Sequence, residues 1–123
     1  MMSNTTPGDF EPMESVVSTK RGLIPATKRQ LSYALSARNK IFSDLSSEVG
    51  TEFARLIVSY ASIEKRRVGT WLGWGRSGDL QSVCMAAMTY RWLVDDPVTN
   101  PPDLEFVDRI MSVIRKLGQT DQE

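Results

Sequence analysis

Apolar positions along the chain recur at helical spacing in four segments. The first covers residues 27–50, the second residues 51–67, the third about residues 79–94 and the fourth about residues 100–118. Apolar residues that return every three or four positions form one face of an amphipathic helix. The sequence therefore predicts an all-α fold, a four-helix bundle-like single domain.

Both ends of the chain lack this periodicity. Residues 1–22 contain two prolines, two glycines and many Ser and Thr, a composition typical of irregular chain ends. We therefore expect a flexible N-terminal arm over residues 1–22, a helical domain over residues 23–118 and a polar tail over residues 119–123. The break between the first and second helices depends on Gly50, so one long bent helix is an alternative.

A glycine-rich segment separates the second and third predicted helices. Residues 68–78 contain four of the eight glycines in the chain, and that density interrupts helices because glycine has the greatest backbone freedom. The segment is predicted to be a loop. The surrounding sequence, EKRRVGTWLGWGRSGD at residues 64–79, places several cations beside two tryptophans.

Charge is distributed unevenly, although the chain has a net charge of zero. Residues 1–14 carry three acids and no cation, residues 15–76 carry eleven cations and four anions, and residues 77–123 carry four cations and eight anions. Either the two larger parts attract each other within one dipolar fold, or the basic part binds an anionic partner. Attraction between oppositely charged parts of different chains also predicts homo-oligomers.

The residues that best fit an anionic partner cluster around the glycine-rich segment. Unpaired bases stack on aromatic side chains while neighbouring cations neutralise phosphates, so RNA is the predicted partner. The candidate residues are Lys65, Arg66, Arg67, Trp71, Trp74 and Arg76, extended along the first helix by Lys28, Arg29 and Arg38. No RRM, KH or zinc-knuckle signature accompanies them.

Three other interpretations of the segment stay open. In the first, Trp71 and Trp74 pack on the core as a lid, since large aromatic side chains are usually at least partly buried. In the second, the segment contacts a membrane surface, where Trp and cations favour anionic headgroups. In the third, Gly73-Trp74-Gly75 resembles the hooks by which some proteins dock into the tryptophan pockets of Argonaute, which implies a protein-binding adaptor.

Two arginines, Arg38 and Arg91, lie on the apolar stripes of the first and third helices. Such a side chain either extends its charge to solvent or pairs internally with an acid such as Asp44, Glu48 or Asp96. Alternatively, these stripes face a partner chain, where arginine is favoured.

Composition excludes several function classes. The chain has no histidine, which removes His-based acid–base catalysis, Ser/His and Cys/His nucleophile pairs and most zinc or iron sites. The single cysteine, Cys84, excludes an internal disulfide and is predicted to be a core residue in a reducing compartment. Carboxylates at residues 95–96 and 103–108 are better explained as charges at helix ends than as metal ligands. No enzyme activity, cofactor, metal, secretory signal or membrane span is predicted.

These features together predict a small non-enzymatic interaction protein of the cytoplasm, or of the nucleus, whose basic part binds RNA and which self-associates. The alternative is a protein-binding adaptor that uses the segment around Trp74 or an apolar helix face. The small size and the N-terminal arm would also suit a viral accessory or assembly protein.

Overall fold

The structure, a computed structural model, describes residues 10–93 and 104–121. In chain order these residues form β1 (Val16–Thr19), β2 (Gly22–Pro25), α1 (Lys28–Val49), α2 (Thr51–Glu64), α3 (Val68–Ser77), α4 (Leu80–Leu93) and α5 (Leu104–Asp121). The predicted all-α, bundle-like fold is confirmed, with the addition of a small sheet. None of the helices in this part of the chain is both long and apolar enough to cross a membrane.

The core lies between α1, α2, α4 and α5. α2 packs against α1 and α4, and α4 packs against α5. Leu45, Ile57 and Ile110 are among the largest fully buried apolar side chains, one from each of α1, α2 and α5. Burying each such side chain contributes roughly 1.5–3 kcal/mol, so these faces hold the bundle together.

α1 begins and ends close to the predicted bounds, residues 27 and 50. The Thr27 hydroxyl accepts a hydrogen bond from Gln30 N at 3.0 Å, and the Gln30 side-chain carbonyl accepts one from Thr27 N at 2.8 Å. This reciprocal pair is a capping box. Gly50 has a φ of +92°, a value that glycine adopts without strain, and it separates α1 from α2. The two helices are therefore separate.

α5 continues past Gly118, where the sequence predicts its end, to Asp121. Gln81 of α4 donates to Ile114 O at 2.9 Å and lies against Gly118, where a Cβ would come within 2.8 Å of its Nε2. Gly118 therefore permits a close contact between helices and does not end one. The predicted start of this helix at residues 100–103, and the carboxylates at residues 95–96, lie outside the described residues.

The glycine-rich segment is a helix, α3, and the predicted loop is corrected accordingly. Val68 and Trp71 are fully buried on one side of α3. Gly75 lies on the same side, and a Cβ there would overlap the Cβ of Ala37 in α1. Glycine disfavours a helix by about 1 kcal/mol per residue, but burial of Trp71 and the close approach to α1 outweigh this cost.

Residues 10–22 of the predicted N-terminal arm pack against the bundle. β1 and β2 pair in antiparallel register, with Val17 opposite Ile24, and Gly22 takes a φ of +113° at the turn. We call this unit, residues 16–25, the hairpin. Val17 lies against Gly69 of α3, at a distance of 3.4 Å from its Cα to the position a Cβ would occupy.

Two contacts before the hairpin fix its position. Phe10 is 6% exposed and belongs to the core. Glu14 N donates to Arg66 O at 2.7 Å, and Glu14 O accepts from Val68 N at 3.0 Å. Apolar burial and paired backbone groups therefore stabilise a segment whose composition suggested an arm, and the boundary predicted between residues 22 and 23 falls inside β2.

One face of α4 is more exposed than its apolar composition predicts. Val83, Cys84 and Ala87 are fully buried, whereas Met85 is 51% and Trp92 is 50% exposed. These two side chains are seven positions apart and share one side of the helix. α4 is thus central to the core, but it leaves an apolar strip on the surface.

Candidate nucleic-acid interface

The candidate site is the surface around α3, a helix whose three sides have different environments. Val68, Trp71 and Gly75 face α1 and the core. Gly69, Leu72, Gly73 and Arg76 line a cleft beneath the hairpin. Trp74 lines a groove between α3 and α4. One side of this short helix is therefore buried in the core, and two other sides line separate depressions on the surface.

The buried side of α3 is anchored by Trp71 and Arg38. Trp71 Nε1 donates to Lys65 O at 2.8 Å, which ties α3 to the end of α2. The Arg38 guanidinium lies between two rings, with its Cζ 5.3 Å from the centroid of Phe10 and 5.9 Å from that of Trp71. It also donates to Glu11 O at 2.8 Å and to the Ser62 hydroxyl at 3.2 Å.

Arg38 is 1% exposed, and burial lowers the pKa of its guanidinium. The group nevertheless keeps its proton, because arginine titrates far above physiological pH. Of the acids considered as its partners, Asp44 pairs with Lys40 at 3.0 Å and Glu48 with Lys116 at 3.6 Å. Arg38 therefore holds residues 10–11 against α1 and α3, and its side chain does not reach the surface.

The predicted cations meet at the surface around Thr70. Thr70 lines the cleft beneath the hairpin and also two shallow grooves next to it. Lys65 lines both grooves, and Arg67 lines one groove and the cleft. Lys65, Arg66, Arg67 and Arg76 are all exposed, so the fold brings four predicted cations into one continuous surface.

The cleft beneath the hairpin carries the largest net positive charge of these depressions. It has a volume of about 550 Å³ and lies between the hairpin, the first turn of α1 and α3. Arg67 and Arg76 line it, and none of its described lining residues is acidic. The groove on the other side of Arg67 contains two acids, Glu14 and Glu64, and is therefore less favourable to an anion.

Lys28 and Arg29 are exposed in the first turn of α1. Gln30, from the same turn, lines the cleft, whereas Lys28 and Arg29 are not among its lining residues. The exposed turn of the hairpin, Lys20-Arg21, follows Thr19, which also lines the cleft. Sequence reasoning missed the hairpin's contribution because it assigned these residues to an arm.

Two predicted contact residues lie in the interior. Trp71 is 0% and Arg38 1% exposed, so neither can touch a ligand on this surface. Trp74 is partly buried, with its ring in edge-to-face contact with Trp71 at a centroid distance of 4.9 Å. Of the two tryptophans, Trp74 is therefore the one available for stacking, and Trp71 packs in the core as the lid interpretation expects.

The single cysteine, Cys84, lies in the core. Cys84 is fully buried, and burial raises the pKa of its thiol to about 12. A protonated, inaccessible thiol is a weak nucleophile. The described part of the chain contains no group of three side chains that could hold a metal ion.

Comparison with known proteins gave no relatives. No protein family model, no curated protein and no solved structure matches this chain. The functional interpretation therefore depends on the geometry and charge of the surface around α3.

Proposed function

We propose that this protein binds RNA through the surface around α3 and the hairpin. The observation that carries the proposal is the cleft lined by Arg67 and Arg76, without a described acid, at the centre of a surface that also presents Lys65 and Arg66. Two arginines and their neighbours can neutralise several phosphates at once.

The start of α1 supports the proposal independently. Helix N-termini favour acidic residues, because the helix dipole places partial positive charge there. The first turn of α1 contains no acid and carries Lys28 and Arg29. This arrangement costs local stability and concentrates positive potential beside the cleft, as expected where an anion binds.

Trp74 and Lys65 supply a second part of the surface. Both line the groove between α3 and α4, which Glu64 also lines, and a base could stack there on the accessible part of the indole while the ammonium contacts phosphate. In this proposal Trp74, Lys65, Arg66, Arg67 and Arg76 contact RNA directly. Lys28 and Arg29 contribute mainly through long-range attraction.

Binding should depend steeply on salt. Each phosphate contact on a single strand contributes about −0.7 to the slope of log affinity against log salt, so six contacts give a slope of about −4. The purified protein should also carry RNA, seen as raised absorbance at 260 nm, when it is isolated at low salt. A protein that stays free of nucleic acid and binds no RNA at low salt would refute the proposal.

A protein-binding adaptor is the second candidate, favoured by the exposed strip on α4. Met85 and Trp92 are half exposed on one side of that helix, and Met85 lines the groove next to Trp74. The affinity of a partner protein that docks on this apolar strip should change little with salt concentration, and this distinguishes it from RNA binding. The Argonaute-type hook is less well supported, because Gly73-Trp74-Gly75 lies inside α3 and Trp74 packs on Trp71.

Self-association is part of the proposal, since the basic part of the sequence, residues 15–76, and the acidic part, residues 77–123, can attract one another between chains. Equilibrium sedimentation at low and high salt tests it, and a monomer under both conditions would refute it. A cytoplasmic or nuclear location and a viral accessory role stay predictions from composition.

A further inference from the structure

The cleft beneath the hairpin has an apolar wall, and two arginines also line it. Val17, Ile24 and Leu72 form this wall, and Ile24 is 46% exposed. A purely electrostatic contact with a phosphate backbone needs no such wall. The ligand that fits the cleft therefore has an apolar surface as well as negative charge.

The two arginines stand at opposite ends of α3. Arg67 occupies the N-cap position, and Arg76 is the next-to-last residue of the helix. Nine positions at 1.5 Å per residue separate them by roughly 14 Å along the axis. The long side chains of Arg67 and Arg76 can extend over the cleft from the two ends of the helix. A ligand with a flat group between two phosphates can therefore place each phosphate against one guanidinium.

Gly73 marks the floor of the cleft. A Cβ at Gly69 would contact Val17 and one at Gly75 would overlap Ala37, so packing explains both of those glycines. A Cβ at Gly73 would meet nothing within 4 Å. A glycine that weakens a helix by about 1 kcal/mol with no neighbour to accommodate is expected where a ligand approaches the backbone.

Neutral hydrogen-bonding groups complete the cleft. Thr19, Gln30 and Thr70 line it together with the arginines. Hydroxyl and amide groups can both donate and accept, which suits the edge of a nucleobase.

We propose that this cleft holds one unpaired nucleotide of a bound RNA. The base lies over Gly73 against Ile24 and Leu72, and the flanking phosphates meet Arg67 and Arg76. This inference rests on the proposed RNA binding and specifies which part of the RNA the cleft takes. Since a paired base is covered by its neighbours and partner, the cleft selects single strands over duplexes.

The test measures fluorescence anisotropy with a labelled oligouridylate and with a labelled RNA duplex of the same length. It compares the native protein with Gly73→Leu, which fills the cleft without changing charge. Ser112→Leu on α5 adds the same side chain at an exposed position away from the cleft. Circular dichroism confirms that each variant is folded.

We expect Gly73→Leu to weaken oligouridylate binding roughly tenfold, about the value of burying one apolar face of a base, with an unchanged salt slope and unchanged duplex binding. Ser112→Leu should bind like the native protein. Equal oligouridylate affinities for Gly73→Leu and the native protein would overturn the cleft assignment. RNA binding would then still stand if an Arg67→Gln/Arg76→Gln variant binds more weakly.

Two other outcomes separate the proposals further. If the native protein binds neither RNA at low salt, the RNA function and the cleft assignment both fail. If labelled polyglutamate binds more tightly than oligouridylate and loses that binding in Gly73→Leu, the cleft takes an acidic protein segment, and the nucleotide assignment is overturned.

Discussion

Gly75 of α3 and Ala37 of α1 touch so closely that a Cβ on Gly75 would overlap the Cβ of Ala37. This contact holds α3 and α1 close together at that point. Helices that approach this closely use small residues at the crossing point, because larger ones force the backbones apart. The glycine-rich composition of α3 thus has a packing origin at this position.

Opposite effects on stability are expected for alanine at two neighbouring glycines. Gly75→Ala should lower the free energy of unfolding by about 1–3 kcal/mol, because the added methyl group has no room. Gly73→Ala should raise it by up to about 1 kcal/mol, because a Cβ there meets nothing and alanine favours the helix. Urea unfolding of both variants measures the two changes. Equal effects would contradict the described packing of α3.

Arg38 is expected to be a structural residue, whatever the ligand. Arg38→Met keeps most of the stem but removes the hydrogen bonds to Glu11 O and Ser62, so it should cost about 2–4 kcal/mol. Lys40→Met, which removes an exposed ion pair with Asp44, should change stability by less than about 1 kcal/mol. Thermal unfolding compares them, and similar melting temperatures would show that the Arg38 contacts do not stabilise the fold.

The two tryptophans of α3 should respond differently to substitution. Trp71→Ala removes a fully buried ring and its hydrogen bond to Lys65 O, with an expected cost of about 3–5 kcal/mol. Trp74→Ala should cost less and leave a folded protein whose RNA affinity can be measured. Circular dichroism at rising temperature distinguishes the two, and a stable Trp71→Ala variant would refute the lid role of Trp71.

The glycines of α3 show which parts of the fold could be predicted from the sequence and which could not. The density of glycines predicted a loop over residues 68–78, because the low helix propensity of glycine can be read from the sequence. The contact of Gly75 with Ala37 cannot. The bounds of α1 were predictable, since its apolar periodicity ends at Gly50 and begins close to residue 27. Local sequence signals therefore located α1 well. In residues 68–78, where local propensity and long-range packing disagreed, packing determined the structure.

The candidate site was predictable only in part. The cations of residues 65–76 stand out in the sequence, and the fold does bring them together. Arg38 and Trp71 looked equally suitable, but their burial depends on Phe10 and α1, which no local pattern reveals. The hairpin wall of the cleft was missed because four-residue strands with Ser and Thr carry a weak signal.

Stability at alkaline pH should depend on Cys84. The unfolded chain loses the thiol proton near pH 9.0, whereas burial raises the pKa in the folded protein to about 12. Between these values the unfolded state binds fewer protons, so stability falls as pH rises, by about 1 kcal/mol at about pH 10. This contribution is fully present below pH 9.0.

Comparison with Cys84→Ala isolates the thiol, because other alkaline titrations affect both proteins. The free-energy difference between native and variant, measured by urea unfolding, should shrink as pH rises from about 8 to about 10. A constant difference, or rapid maleimide labelling of the native protein, would show that the thiol is less buried than described.

The measurement that tests the central claim most directly is RNA affinity across a salt series. It compares the native protein with Arg67→Gln/Arg76→Gln and with a control of equal charge, Lys40→Gln/Arg115→Gln, on surfaces away from the cleft. We predict salt-dependent binding by the native protein. The cleft variant should bind more weakly, with a slope reduced by about 1.4, while the control changes little. Absence of binding at low salt, or equal losses in both variants, would contradict RNA recognition by the surface around α3.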